Sequence, residues 1–214
     1  MSRAKEIGPI ALNWCGFIIF SMLVCLTQYT LAYDRQITGV VQHFVSPSRT
    51  IIFNLISITG SPMVTLGLGM LIALFFIIRE DLQKGALVIS VFLFTNGIGW
   101  VLKDLLRRPR PLAQLTQTQG FSYPSSHVMG SLLLVIVVLH FWHPVLVRNR
   151  VLQIVILSGW FGLVCLSRIY LQAHFLTDVI GGAWLAAVSY QSVEFAVQGF
   201  VDRHTHQDSA ESKT

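Results

Sequence analysis

Three short polar clusters stand out against an otherwise apolar chain. They are Lys103 with Arg107, Arg108, Arg110 and Pro111; then Pro124-Ser125-Ser126-His127; then Ser167-Arg168 followed by His174 and Asp178. Charged groups close to membrane depth are costly and tend to mark function. The clusters together hold cations, a serine pair, two histidines and a carboxylate, a set suited to handling phosphate. An arginine fork and a lysine point charge match a tetrahedral oxyanion. Lys103 and Arg107 stand four residues apart and share a helix face. Pro109 and Pro111 then end the helix and give Arg110, held between them, a fixed direction. Arg107 and Arg108 read equally well as span-end cations that reach back to the interface.

Ser125 is a natural N-cap for a helix beginning near His127. That arrangement would aim backbone N–H groups and the positive end of the helix dipole at the site. Taken alone, this cluster reads as a capped helix with an interfacial histidine. His174 and Asp178 are i and i+4 on one helical face. Asp178 can accept from one imidazole nitrogen and leave the other as a lone pair for attack. Arg168, six residues before His174, closes a span within reach of a bound phosphate. Two histidines can then divide the work, one attacking phosphorus and one protonating the departing alkoxide. Cations and N–H groups would stabilise the transferring oxygens. Nothing in this set calls for a metal or a cofactor.

These groups need elements to position them, and the rest of the chain supplies apolar spans. It is 53% hydrophobic and 12% charged, unlike a soluble domain of this length. Residues 12–33, 51–78 and 85–102 carry no charge, and 128–147 and 151–166 carry none beyond neutral histidine. About 20 apolar residues cross a bilayer, so the chain is read as an all-α, polytopic membrane helix bundle. Six spans are expected, at 12–33, 62–78, 85–106, 127–146, 151–171 and 175–199. Residues 35–61 are expected to form a half-helix in the interface, broken at Gly60-Ser61-Pro62. Residues 1–202 then make one integral-membrane domain, with 203–214 a short, polar, disordered tail.

Arg3 and Lys5 ahead of an apolar run resemble a signal peptide, but the run exceeds the roughly 7–15 residues of one. It is read as a retained span. The net charge of +5 is dispersed over short loops, without a basic helix or patch, and so does not indicate nucleic-acid binding. Counting Lys and Arg by loop, with the site-associated cations set aside, places both termini in the cytoplasm and all three clusters on the opposite face. Cys15, Cys25 and Cys165 have neither disulfide-framework nor metal-ligand spacing and read as small buried hydrophobes. Asn96, beside Gly97 and Gly99, reads as a close-packing site. Glu194 reads as a snorkelling carboxylate, His140 and His143 as interfacial, and His204 and His206 as part of the tail.

In this order and spacing, Lys103-x6-Arg110-Pro111, Pro124-Ser125-Ser126-His127 and Ser167-Arg168-x5-His174-x3-Asp178 resemble the signature of the type 2 phosphatidic acid phosphatase superfamily of membrane lipid phosphatases. The signature covers residues 103–178, and the six-span layout is similar across nearly the whole chain. The resemblance implies a metal-independent phosphomonoesterase or pyrophosphatase with no cofactor, acting on a lipid phosphate within the bilayer. It implies that His174 is the nucleophile, forming a phosphohistidine, and that Asp178 orients it. His127 would be the general acid, and later the base that activates water. Lys103, Arg110 and Arg168 would bind the phosphate, with Ser125 and Ser126 contributing.

Undecaprenyl pyrophosphate, phosphatidylglycerophosphate and phosphatidic acid are the expected substrates, and the compact build points to a bacterial plasma membrane and so slightly favours the isoprenoid carrier. A lipid phosphotransferase of the same family is the alternative. A non-catalytic anion transporter would not need the His174–Asp178 pair and would favour polar residues at mid-membrane. The family usually carries glycine where this chain has Ser126. A positive φ there would make serine costly, whereas a position that only donates its N–H tolerates it. The latter is expected, because His127 follows directly.

Overall fold

Apolar runs punctuated by Ser, Asp, Asn and Pro set the helix boundaries. The computed structural model describes residues 4–27, 29–141 and 149–211, and these form eight helices: α1 Ala4–Leu26, α2 Tyr29–Gln42, α3 Pro47–Thr59, α4 Pro62–Ile78, α5 Leu82–Leu106, α6 Ser126–Phe141, α7 Arg150–Tyr170 and α8 Leu176–Glu211. Ser46 and Ser61 accept from Arg49 N and Val64 N, each with proline at the first helical position. Asp81 and Asn149 cap α5 and α7 in the same way. No strand occurs among the described residues.

The centre is built from α5, α6 and α8, with α4 against α5 and α6, α1 against α8, and α7 against α6. One apolar core joins Phe76, Val88, Val91, Phe92, Leu133 and Ala186; a second joins Phe17, Met129, Leu185 and Val188. The outer faces of α1, α3, α4 and α7 expose Ile19, Leu55, Leu71 and Val155, the side chains that a hydrocarbon solvent accepts. By length and apolarity, Glu6–Leu26, Pro47–Ile78, Leu82–Leu106 and Arg150–Tyr170 can each cross a membrane, and Ser126–Phe141 is a shorter apolar helix. The chain is an all-α integral membrane protein.

Several boundaries differ from those expected. The 12–33 run is not one helix: α1 stops at Leu26, and residues from Tyr29 open α2. The half-helix expected within 35–61 is two helices, and α3 packs along the C-terminal half of α7 instead of lying alone in the interface. Phe53 stacks on Tyr170 with ring centroids 4.1 Å apart, and Trp160 Nε1 donates to Thr59 Oγ1 at 3.0 Å. The Gly60-Ser61-Pro62 break is present, between α3 and α4. At the other terminus α8 continues to Glu211, so helix extends through most of the expected tail.

Single residues differ too. Gly99 and not Gly97 marks the close helix approach: a Cβ on Gly99 would sit 2.3 Å from Met129 Cε, while nothing lies near Gly97. Asn96 Nδ2 donates within its own helix, to Phe92 O at 2.8 Å. Glu194 faces His140 Nδ1 at 3.5 Å instead of standing free, and His143 lies outside the described residues. None of the three cysteines is fully buried, and Cys15 is exposed, because α1 turns that face outward.

Candidate active site

The ends of α5, α6, α7 and α8 meet at one end of the bundle, and loop 107–125 and turn 171–175 close over them. Leu115 N donates to Leu171 O at 2.9 Å, joining loop to turn. Ser125 N donates to Asp178 O at 3.2 Å, joining the serine cluster to α8. Gly182 permits that approach, since a Cβ there would stand 2.7 Å from the Ser125 carbonyl oxygen. The three polar clusters therefore converge.

The Asp178 carboxylate, wholly buried, accepts from Phe175 N at 2.9 Å through Oδ2. The same Oδ2 faces His174 Nδ1 at 3.6 Å, beyond hydrogen-bond length. The other ring nitrogen, Nε2, lies 3.3 Å from Arg110 Nη1. A guanidinium can only donate, so that contact requires Nε2 to carry the lone pair and Nδ1 the proton. Burial pushes the His174 pKa down to about 4, with the Asp178 carboxylate pulling the other way. The imidazole is neutral at pH 7, with its lone pair directed at Arg110.

Arg110 is also held by backbone. Its Nη1 donates to Ala173 O at 2.7 Å, Nε to Gly120 O at 2.9 Å, and Nη2 to Gln119 O and Phe121 O at 3.1 and 3.2 Å. Lys103 Nζ donates to the same Phe121 carbonyl at 3.1 Å, which brings the two cations of the first cluster onto one acceptor. Arg168 is 2% exposed; Nη1 donates to Ser57 Oγ, while Nε and Nη2 are buried without a partner. Buried guanidinium donors are rarely left unsatisfied, so this pair of N–H groups can seat an anion. Arg168 O also accepts from Ala173 N and His174 N, which fixes the His174 backbone against the end of α7.

His127, half-buried in the first turn of α6, lies in electrostatic range of Arg168, His174, Arg110 and Lys103. Ser126 starts the helix and is not among the positive-φ residues, which besides Gly120 are Glu80, Arg107 and Gln172. Serine in place of the family glycine therefore carries no backbone strain. Ser125 departs from its expected role. Its carbonyl accepts from Met129 N at 3.0 Å, but its buried hydroxyl has no partner and caps nothing. The N–H groups at the α6 start are left without that cap.

The sequence treated Arg107 and Arg108 alike, and the structure separates them. Arg107 is exposed beside Asp104 at 3.7 Å. Arg108 is 4% exposed and bridges two carboxylates: Nη2 donates to Asp34 Oδ2 at 2.7 Å and Nη1 to Asp178 Oδ1. Thr177 Oγ1 accepts from Arg108 at 2.7 Å and donates to Asp34 Oδ2 at 2.5 Å. Asp34 belongs to none of the three clusters. Its only signal was a carboxylate placed directly after a long uncharged run. Beside this network a cavity of about 560 Å³ is lined by Leu31, Arg35 and Gln42 of α2 and by Arg108, Arg110 and Phe175. Among the described residues, no three His, Cys, Asp or Glu side chains group as metal ligands.

Against known proteins, the sequence profile of the PAP2 superfamily matches residues 84–194. Phosphatidylglycerophosphatase B of Bacillus subtilis (strain 168) is 34% identical over 123 residues, 56% of this chain and 59% of that protein. Sphingosine-1-phosphate phosphatase 1 of Rattus norvegicus is 27% identical over 114 residues, 50% of this chain and 26% of that protein. The alignments thus span less than two thirds of either relative. The crystal structure of a transmembrane PAP2 type phosphatidylglycerolphosphate phosphatase from Bacillus subtilis superposes with a TM-score of 0.75 at 26% identity, covering 91% of this chain and 96% of that one. Aquifex aeolicus LpxE superposes with a TM-score of 0.58 at 22% identity, covering 76% and 93%, a likeness of fold.

Proposed function

The chain belongs to the PAP2 superfamily, and on that premise we propose that it is an integral-membrane lipid phosphatase working through a phosphohistidine. His174 Nε2 attacks phosphorus, the bond from phosphorus to the leaving oxygen breaks, and His127 protonates that oxygen. His127 then takes a proton from water, whose oxygen attacks the phosphohistidine and returns His174 with release of inorganic phosphate. Lys103, Arg110, Arg168 and the N–H groups opening α6 stabilise the equatorial oxygens, and Ser125 and Ser126 add donors. Asp178 holds the imidazole and steadies the positive charge it gains. Every group in this scheme is a side chain or backbone N–H of the chain, and the scheme as proposed is metal-independent.

One observation carries this reading: the His174 lone pair points at Arg110 at 3.3 Å beside two unpaired, buried Arg168 nitrogens. A phosphoryl group entering there meets a nucleophile and vacant donors together. The relatives' names, phosphatidylglycerophosphatase B and sphingosine-1-phosphate phosphatase 1, favour a lipid monoester. Among the expected substrates we favour phosphatidylglycerophosphate, ahead of phosphatidic acid and undecaprenyl pyrophosphate.

The test is phosphate release by detergent-purified protein from those three lipids, with and without excess EDTA. Release that survives EDTA and is inhibited by vanadate is expected; a strict need for added magnesium or zinc would remove the mechanism. We place the site on the extracytoplasmic face of a bacterial plasma membrane, with both termini inside. In a background with the native cysteines changed to alanine, Gln117→Cys should react with an impermeant maleimide in intact cells and Asn149→Cys only after permeabilisation. The reverse pattern would move the reaction to the other leaflet.

A further inference from the structure

Asp34 lies in α2, outside the region matched to the family, yet it is 1% exposed and both its oxygens are engaged at the site. Oδ1 accepts from Thr177 N at 3.2 Å, one residue before Asp178. Oδ2 accepts from Arg108 Nη2 at 2.7 Å. Arg108 Nη1 goes to Asp178 Oδ1, and the guanidinium lies over the Phe175 ring, 4.8 Å from its centroid. A lone arginine facing a lone carboxylate prefers the bidentate fork, with both nitrogens on both oxygens. That fork would occupy Asp178 Oδ2, the oxygen that faces His174 Nδ1. In the structure the second nitrogen is taken up by Asp34, and Oδ2 is left for His174 and Phe175 N.

We propose that Asp34 is a positioning residue for the reacting imidazole: by holding one arm of Arg108, it keeps that arginine monodentate on Asp178 and leaves Asp178 Oδ2 facing His174. The inference rests on the phosphatase reading above. It has an electrostatic side as well. The charged groups facing His174 are Asp178 on α8, Arg168 on α7, His127 on α6 and Arg110 after α5, with Lys103, at the end of α5, beside Arg110, Asp178 and Arg168. Behind Asp178 stand Arg108 and Asp34. Two carboxylates sharing one guanidinium leave one negative charge on that side, which favours the positively charged ring that forms when Nε2 bonds to phosphorus.

The two partners should therefore shift the acid limb of kcat/KM in opposite directions, because that limb reports the free enzyme's essential base. Asp34→Asn removes a negative charge and disfavours the imidazolium, so its acid limb moves to lower pH. Arg108→Gln removes a positive charge and moves the limb to higher pH. With full-length protein in detergent and phosphatidylglycerophosphate in mixed micelles, Asp34→Asn should lower kcat roughly tenfold to a hundredfold, as loss of a residue behind a reacting group commonly does. KM should stay within about threefold, since no phosphate contact is lost. Asp34→Glu, which keeps the charge, should return the acid limb to its wild-type position. Thermal unfolding of each variant separates this from simple loss of folded protein.

An active wild type with an Asp34→Asn twin of equal kcat and unmoved limb would overturn the proposal, as would limbs that move the same way in the Asn and Gln variants. A wild type that releases phosphate from no lipid would instead remove the phosphatase reading itself. If Asp34→Asn does not fold, Arg108→Lys takes its place, because it keeps the charge but replaces the two-armed fork that serves Asp34 and Asp178 with a single ammonium nitrogen. It should lower kcat several-fold with the limb in place, and an unchanged kcat would equally overturn the proposal.

Discussion

The two ends of the bundle use the same residue types for different physics. At the end away from the site, Asp81 pairs with Lys84 at 2.6 Å with side chains 33% and 46% exposed. Arg79 and Lys84 lie over the Phe75 and Phe76 rings at 5.5 and 5.6 Å. Each contact there is local in sequence or lies on the surface. At the site end, Arg108, Arg168, Asp34 and Asp178 are all buried, and their partners come from distant stretches of chain: Asp34 with Arg108, Arg108 with Asp178, Arg168 with Ser57. Exposed pairs are worth about 0–1 kcal/mol and little changes when they break. A buried charge left without its partner costs several times more, so the site end is interdependent where the far end is not.

Breaking the comparison at its strongest point means removing a histidine. His174→Ala or His127→Ala should lower kcat roughly 10⁴-fold or more, as loss of a reacting group does, while Asp178→Asn should cost less because the imidazole remains. Phosphate release near the wild-type rate from His174→Ala would end the assignment. Next comes Arg168→Gln, which withdraws the unpaired donors; kcat/KM should fall roughly 10²–10³-fold, the scale of one lost oxyanion donor. An intact kcat/KM would mean that the seat is not where phosphate binds.

A milder probe is pH. His174 must be neutral to attack, and burial holds its pKa at about 4, below the roughly 6.5 of a free imidazole. Activity should persist as pH falls through 6.5 and fail only towards about 4; an acid limb centred near 6.5 would show an imidazole far more hydrated than this one. The smallest effect belongs to the far end. Lys84→Ala should cost at most about 1 kcal/mol of stability and leave turnover unchanged, and a large loss of activity would break the contrast between the two ends.

Much of the site could be read from the sequence, because its chemistry sits in three dense clusters against an uncharged background. His127, His174, Asp178, Lys103, Arg110 and Arg168, the residues proposed for the site, were all visible there, as was the all-α membrane class. Asp34 was not: its partners lie 74 and 143 residues away, and no local spacing announces a pairing of that range. Arg108 looked like Arg107 because exposure, and not residue type, separates them. The stop at Leu26 has no Gly or Pro to signal it, and nothing in Ser125 itself foretold that its hydroxyl would face no backbone N–H.

Gly182 carries a consequence for how such a protein can vary over evolution. The approach of α6 to α8 is set partly by where no atom stands, since a Cβ on Gly182 would lie 2.7 Å from the Ser125 carbonyl oxygen. A single added methyl would wedge α6 away from α8 and move His127 relative to His174 without touching either. The position is therefore closed to drift for a geometric reason: descendants of this chain can exchange lipid-facing leucines freely, but a mutation to any side chain at residue 182 pushes on the Ser125 backbone that leads into α6.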